Sequence, residues 1–229
     1  KILNPELRVL IPDLNATCQL ADTISIEELH QAKEEHPDAV VVSYVNTSAL
    51  VKAASDLCCT SANAVEVVNS LDAETVLFGP DHNLAEYVSR KTGKTIIPIP
   101  ERGFCPTHLL FQPEDVQVLK MKHPDAVVMV HPECSLEMQD IADFIGSTSQ
   151  MCKYARNNKT KRFIVATEGG IIHHLEKENP GKQFIPAYKD AVCPNMKLNT
   201  LERLYRALKE EKYLITVPEP VATRARKEI

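Results

Sequence analysis

No stretch of this 229-residue sequence approaches the ~18 uninterrupted apolar residues of a membrane-spanning helix, so we expect no membrane contact. Positive charge is not in excess either, because 26 Lys and Arg residues are scattered among 31 Asp and Glu residues. The basic patch typical of nucleic-acid-binding proteins is therefore missing, and nucleic acid is not an expected partner. The first residues, KILNPELRVL, lack the character of a signal or transit peptide and contain no starting Met, so we expect further residues upstream.

The chain has seven cysteines but no close-spaced CxxC pair. An odd number of cysteines, in a chain long enough to bury a core, argues against a secreted disulfide framework. We therefore expect reduced thiols and a cytoplasmic location, or a plastid if the source is a plant. The missing CxxC pairs also argue against a structural zinc site, which usually takes four ligands from such pairs.

An internal repeat of about 87 residues runs through the chain. The segment HPDAVV at residues 36–41 recurs at residues 123–128. Cys105 follows Cys18 by the same 87 residues, and Cys193 follows Cys105 by 88. Each of these cysteines comes after a short apolar run and an irregular turn, and chance does not explain agreement at so many places.

Within each repeat, predicted helices alternate with short β-branched runs such as AVVVSYV and AVVMV. Helix starts are predicted at Ser25 and Asn199, each followed three residues later by Glu, and at Pro113 as a first helical residue. The last predicted helix has apolar residues at the spacing of one buried face: Leu201, Leu204, Tyr205 and Leu208. The alternation predicts the α/β class, with three-layer αβα domains built on parallel sheets.

The repeat boundaries predict three domains. Residues 19–105 form a second α/β domain and residues 106–193 a third. Residues 1–18 and 194–229 are expected to be parts of a first domain whose N-terminal portion is absent. Domains related by such a repeat would meet in a pseudo-threefold arrangement.

In open parallel sheets, ligands bind beyond the carboxyl ends of the strands, where the three repeated cysteines are expected. A pseudo-threefold axis would bring Cys18, Cys105 and Cys193 together. Three thiolates suit a soft metal centre, and a four-iron cluster held by three cysteines keeps one iron open as a Lewis acid. The alternative is a buried core cysteine, which we prefer for the four that have no repeat partner: Cys58, Cys59, Cys134 and Cys152.

The same offset pairs polar residues at strand ends or in the turns that follow: Tyr44 with His131, Asn46 with Glu133, and Ser61 with Thr148. His131 and Glu133 are candidates for proton transfer, and Tyr44 is a candidate donor or acceptor. The Ser61 and Thr148 hydroxyls would bind a carboxylate or phosphate, or alternatively only cap helices.

Eight motifs follow one another along the chain: NATCQLAD, SYVNTSA, TSANAVEVV, FGPDHNLAEYV, RGFCPTH, HPEC, GSTSQM and AVCPNMKLNTL. Each is weak alone, but in this order they resemble the quinolinate synthase family (type A, iron–sulfur dependent). The resemblance continues to the C-terminal VPEPVATRARKEI.

This resemblance implies three α/β domains around a [4Fe-4S] cluster bound by Cys18, Cys105 and Cys193. It implies condensation of iminoaspartate with dihydroxyacetone phosphate to quinolinate, with loss of phosphate and water, in de novo NAD biosynthesis. L-aspartate oxidase or aspartate dehydrogenase is then an expected functional partner. The resemblance also implies substrate-binding roles for six residues, with catalysis by Tyr44, His131 and Glu133: Tyr44, Asn46, Ser61, His131, Glu133 and Thr148.

Two alternatives remain at this point. A diphthamide-synthesis-like radical enzyme also arranges three cysteines on three related domains, but it acts on a protein with S-adenosylmethionine. A non-catalytic iron–sulfur regulatory module would need the cysteines only. Members of the quinolinate synthase family also carry an upstream portion with a substrate-contacting histidine and serine, which this chain does not have, so full activity would depend on that portion.

Overall fold

The protein contains two parallel four-stranded β-sheets, and the computed structural model describes residues 1–229. The first sheet consists of β1 (Val40–Tyr44), β2 (Leu57–Cys59), β3 (Thr75–Gly79) and β4 (Thr95–Pro98). The second consists of β5 (Val127–Val130), β6 (Phe144–Ile145), β7 (Arg162–Ala166) and β8 (Gln183–Pro186). The strand orders are β2-β1-β3-β4 and β6-β5-β7-β8. The predicted α/β class with parallel sheets is confirmed.

Helices flank both sheets. Those of the first unit are α1 (Ile26–Glu35), α2 (Ala49–Ala54), α3 (Ala64–Asn69) and α4 (His82–Thr92). Those of the second unit are α5 (Pro113–Lys122), α6 (Leu136–Asp140), α7 (Thr148–Asn157) and α8 (Ile171–Glu178). The chain then forms α9 (Pro194–Lys197), α10 (Leu201–Glu210) and α11 (Glu219–Ala225). None of these helices combines the length and apolar character that crossing a membrane requires.

Each sheet is covered on both faces, because successive residues of a strand point to opposite sides. In the first sheet, Val41 packs with α1 and α2, whereas Val42 packs with α3 and α4. In the second sheet, Val128 packs with α5 and α6, whereas Met129 packs with α7 and α8. Both units therefore have three αβα layers, which leaves the carboxyl ends of the strands free to line a site.

Two of the three predicted helix starts are confirmed. Ser25 forms the capping box of α1, and Pro113 is the first residue of α5. The prediction of Asn199 as a cap is wrong by one residue. Thr200 has the extended backbone of an N-cap, and its hydroxyl accepts a hydrogen bond from the Arg203 N–H at 3.2 Å.

The apolar face of α10 is exposed, although its spacing predicts a buried face. The exposed fraction is 82% for Leu201 and 61% for Leu208, and Ala207 is the only buried residue of the helix. Periodicity predicts which residues share a face, but it does not predict what covers that face. Nothing within residues 1–229 covers it.

The two ends of the chain lie against each other. Leu10 and Leu214 form an isolated antiparallel bridge, and Arg8 and Glu211 form an ion pair with an N–O distance of 2.7 Å. The last helix, α11, packs against α2 of the first unit. Both termini are therefore attached to the body of the molecule.

A close backbone contact determines the course of the loop that leads to Cys105. The Gly103 carbonyl accepts a hydrogen bond from the His82 N–H at 2.8 Å. A Cβ atom at Gly103 would lie 1.9 Å from the carbonyl oxygen of Pro80. Because a backbone oxygen cannot rotate away as a side chain can, only glycine fits at this position.

We therefore expect Gly103→Ala to lower the free energy of unfolding by about 1–3 kcal/mol, the usual cost of overpacking. Urea unfolding measures this change. Gly169→Ala is the matched control, because a Cβ there would meet nothing closer than 3.6 Å. Equal stability of the two variants would contradict the role of Gly103.

Candidate active site

A cavity of about 810 Å³ opens at the carboxyl ends of the strands. β1 ends at Tyr44, and His131 and Thr167 come directly after β5 and β7. All the site residues predicted from the sequence line this cavity: Cys18, Cys105, Cys193, Tyr44, Asn46, Ser61, His131, Glu133 and Thr148. Residues from both units and from both chain ends therefore meet in one place.

The three repeated cysteines enter the cavity from three separate loops, and all are free and half-buried. Cys18 precedes a short 3-10 helix (Ala21–Thr23), and its Sγ lies 3.6 Å from the Asn46 side-chain nitrogen. Cys105 precedes a second 3-10 helix (His108–Leu110), and Cys193 is the N-cap of α9. Three soft thiol donors on one cavity form a donor set that suits a soft metal centre.

The Cys105 thiol can ionise at neutral pH only when a cation lies next to it. Burial and the negative charge of Glu133 raise the pKa of this thiol to about 12. Without a positive partner the thiol stays protonated at neutral pH, whereas a bound metal would displace the proton. Cys105, His108 and Glu133 also bring one ligand atom each to within 4.8 Å of one another. The donor set is therefore compatible with a metal cofactor.

The four other cysteines differ in environment. Cys59 and Cys134 are buried in the apolar cores of the first and second unit, which confirms the prediction of core residues. Cys58 is half-buried. Cys152 packs against the second core and also lines the cavity.

A compact group of buried polar side chains forms the floor of the cavity. The His108 Nδ1 lies 3.0 Å from the Glu133 carboxylate, and its Nε2 lies 2.9 Å from the Thr167 hydroxyl. The His108 ring stacks on His131, with 4.3 Å between the ring centroids. The His131 Nδ1 accepts a hydrogen bond from the Glu133 N–H at 3.3 Å, which leaves the Nε2 as the site of the proton in the neutral ring. These contacts fix the orientation of both histidine rings and of the Glu133 carboxylate.

The local electrostatics give Glu133 and His131 different charge states at neutral pH. Burial opposes ionisation of Glu133, but hydrogen bonds with His108 and Tyr44 outweigh it and lower the pKa of the carboxyl. Burial, together with repulsion from His108, lowers the pKa of His131 to about 3. At neutral pH the site therefore contains an ionised Glu133 beside a neutral His131.

The Tyr44 phenol completes the polar floor. Burial and the charge of Glu133 raise the pKa of Tyr44 above its usual range, and the phenol interacts with both Glu133 and Ser61. Tyr44 therefore stays protonated at neutral pH and can donate a hydrogen bond or a proton.

Side-chain amides hold the Glu133 turn against the first unit. The Asn83 side chain, on α4, donates to the Glu133 carbonyl at 3.2 Å. The buried Gln139 side chain, on α6, donates to the carbonyl oxygens of Asn83, Pro132 and Cys134 at 3.3, 2.9 and 3.0 Å. The position of Glu133 is thus set by both units.

Gln150 makes a second connection between the units. Its carbonyl accepts from the Ser147 N–H at 2.8 Å as part of the α7 capping box, and its NH₂ donates to the Ala62 carbonyl at 3.1 Å. Ala62 follows Ser61, and Thr148 follows Ser147. The two predicted anion-binding hydroxyls therefore lie on segments that one side chain joins.

Sequence reasoning missed several residues of the cavity. His108 and Thr167 correspond by the repeat offset to Ala21 and Pro80, neither of which signals chemistry, so the repeat could not select them. Glu168 and Lys197 form an ion pair at 2.8 Å in the cavity wall and were missed as well. For His108, the one available signal was its place three residues after Cys105.

The pKa of His131 leads to a prediction about acid stability. A histidine whose pKa is lower in the folded than in the unfolded chain takes up its proton mainly on unfolding. Its stabilising effect is therefore present above pH 6.5 and is lost as the pH falls below that value. We expect the free energy of unfolding to fall by about 1.4 kcal/mol between pH 7.5 and 5.5, and His131→Gln to remove most of this decrease.

Urea titrations at the two pH values measure the effect. Glu133 does not contribute to this decrease, because its pKa is 4.5 in the unfolded chain and lower in the folded one, so it takes up its proton only below this pH range. His30→Gln, at an exposed position of α1, is the control and should keep the decrease. The same pH dependence in the His131 variant would show that another group is responsible.

Comparisons with known proteins identify the family. The family model described as quinolinate synthetase A protein matches residues 1–229. A quinolinate synthase of Methanosarcina barkeri is 50% identical over 225 residues, which cover 98% of this chain and 73% of that protein. A quinolinate synthase of Thermotoga maritima is 47% identical over 229 residues, covering 100% of this chain and 76% of that protein.

A third relative, the quinolinate synthase of Pyrococcus furiosus, is 48% identical over 229 residues, covering 100% of this chain and 75% of that protein. The similarity therefore extends over the whole of this chain and about three quarters of its relatives. Neither a diphthamide-synthesis-like radical enzyme nor a regulatory module is favoured by these matches. The chain belongs to the quinolinate synthetase A family, a family of enzymes.

Proposed function

We propose that this protein condenses iminoaspartate with dihydroxyacetone phosphate to quinolinate, with loss of phosphate and water, in de novo NAD biosynthesis. The observation that carries the proposal is that the three repeated cysteines line the same cavity as the buried group around Glu133. The family membership supports the same reaction. Iminoaspartate would be supplied by L-aspartate oxidase or aspartate dehydrogenase in the same compartment, which we propose is the cytoplasm.

We propose that Cys18, Cys105 and Cys193 hold a [4Fe-4S] cluster. Support comes from their convergence on one cavity and from the lack of a fourth repeated cysteine. When bound, such a cluster supplies a Lewis-acidic iron that polarises a substrate hydroxyl or carboxylate for loss of water.

Glu133 is the general base in this proposal. Its carboxylate is ionised at neutral pH and lies in a site that excludes most solvent, so it can accept a proton during tautomerisation and ring closure. His108 acts through Glu133 and not on substrate, because one ring nitrogen faces the carboxylate and the other faces Thr167. His131, neutral with its proton on Nε2, donates a hydrogen bond to substrate.

Tyr44 is the proton donor in this proposal. Its protonated phenol donates to an enol or enolate oxygen, and the adjacent Glu133 is positioned to return that proton. Asn46, Ser61 and Thr148 are half-buried or exposed at the cavity and bind the anionic groups of the substrates. Thr148 is the first residue of α7, where free N–H groups favour a carboxylate or phosphate.

We also propose that the three domains are related by the 87-residue repeat around a pseudo-threefold axis. Residues 19–105 and 106–193 are then the second and third domains, and two sheets of identical strand order support this. Residues 1–18 and 194–229 are parts of a first domain whose N-terminal portion lies outside this chain. The pairing of the chain ends and the exposed apolar face of α10 support that assignment.

The cluster proposal is tested by anaerobic purification and iron analysis. We expect a brown protein with about four irons per chain, and we expect Cys105→Ala to lose the iron and the associated absorption. Cys58→Ala, which changes a half-buried cysteine outside the cavity, should retain both. A colourless protein that contains zinc would overturn the proposal.

Glu133→Gln tests the base, because it keeps the shape of the side chain and removes the ionisable group. In a chain that includes the N-terminal portion, we expect this variant to keep its iron and bind substrate but lose at least about 100-fold in turnover, within the range of general acid–base catalysis. Glu137→Gln, at an exposed position on α6, is the matched control. Turnover within a few-fold of the parent would transfer the role to Tyr44 or to a water molecule.

A further inference from the structure

A second group of side chains that could hold a metal ion lies between α7 and α8, away from the buried floor of the main cavity. Cys152 on α7 and the pair His174 and Glu178 on α8 each present one ligand atom, and these atoms lie within 4.8 Å of one another. We propose that these three residues bind one Zn²⁺ ion. The role assigned to the repeated cysteines does not involve them.

The distances fit a tetrahedral ion. Zinc bonds of about 2.0–2.3 Å to nitrogen, oxygen and sulfur place neighbouring ligand atoms about 3.3–3.8 Å apart. The His174 Nε2 and the Glu178 Oε1 are 3.2 Å apart, close to this spacing, and the Cys152 Sγ lies within 4.8 Å of both atoms. The spacing of His174 and Glu178, one helical turn apart, keeps both on the same face of α8.

The surroundings hold these ligands in place. The second carboxylate oxygen of Glu178 accepts a hydrogen bond from Arg156 at 2.7 Å, which leaves Oε1 directed towards His174. A partner of this kind orients a carboxylate ligand. Cys152 packs against the core of the second unit, so its position is not that of a mobile surface thiol.

The ligand chemistry selects zinc over the hard cations. Calcium and magnesium take oxygen ligands, whereas one thiolate, one imidazole and one carboxylate suit a borderline ion. The side chains of His174 and Glu178 are 58% and 27% exposed, so an ion can reach the site from solvent. Three protein ligands leave a fourth position for water or for an anion.

The location gives this site a connection to the main cavity. Cys152 and His174 line both the main cavity and a smaller neighbouring cavity of about 380 Å³. The ion would therefore lie in the wall between them, with its fourth position available to a carboxylate or phosphate that enters the main cavity.

Zinc binding is measured by equilibrium dialysis of the anaerobic, iron-loaded protein against Zn²⁺, followed by X-ray absorption at the zinc edge, which iron does not obscure. We expect one Zn²⁺ per chain with one sulfur and three nitrogen or oxygen ligands. Three sulfur ligands would mean that zinc occupies the repeated cysteines, and none would mean an adventitious surface ion. Either result, or no retained zinc, overturns the proposal.

Variants assign the ligands. Cys152→Ser should remove the sulfur ligand and weaken zinc binding at least about tenfold, and His174→Ala should weaken it similarly. His174 is exposed, so its loss does not threaten folding if the Cys152 variant proves unstable. Cys58→Ser and His173→Ala are matched controls and should leave the affinity unchanged. Unchanged affinity in the His174 variant would contradict the site.

Discussion

The buried, ionised carboxylate of Glu133 is the constraint around which the site is organised. A charge removed from water is tolerated only where neighbouring groups compensate for the lost hydration. Here the compensating groups are His108 and Tyr44, which come from different segments of the chain. His108 precedes α5 of the second unit and Tyr44 belongs to the first sheet, so the charge is fully compensated only when both units are packed together. The environment of Glu133 therefore depends on the contact between the units.

The amide network of Asn83 and Gln139 makes that interface specific. Gln139 donates to backbone carbonyls on both sides of the contact, and Asn83 donates to the backbone of Glu133 itself. A buried amide whose partners shift is left without hydrogen bonds, which destabilises the folded state. Small displacements of one unit against the other are therefore unfavourable. Apolar packing alone would allow more sliding, whereas these directional contacts select one arrangement.

Local patterns were sufficient to predict the α/β class, the parallel sheets and two of three helix starts, because strand and helix periodicity depends on neighbouring residues. The repeat offset also selected nine residues that line the cavity. The offset could not select His108, because its counterpart Ala21 has no polar side chain. Nor could it predict that Leu201 is exposed, because exposure depends on what packs against α10. Features that arise in one unit alone, or from the packing of distant elements, lie beyond any argument from repetition.

The double role of Gln150 has a consequence for how the two units dock. The same side chain starts α7 and donates to the Ala62 backbone of the first unit, beside Ser61. The capping contact needs the second unit alone, whereas the contact with Ala62 exists only when the units are packed together. One residue therefore couples the order of a helix start to the order of the contact between the units.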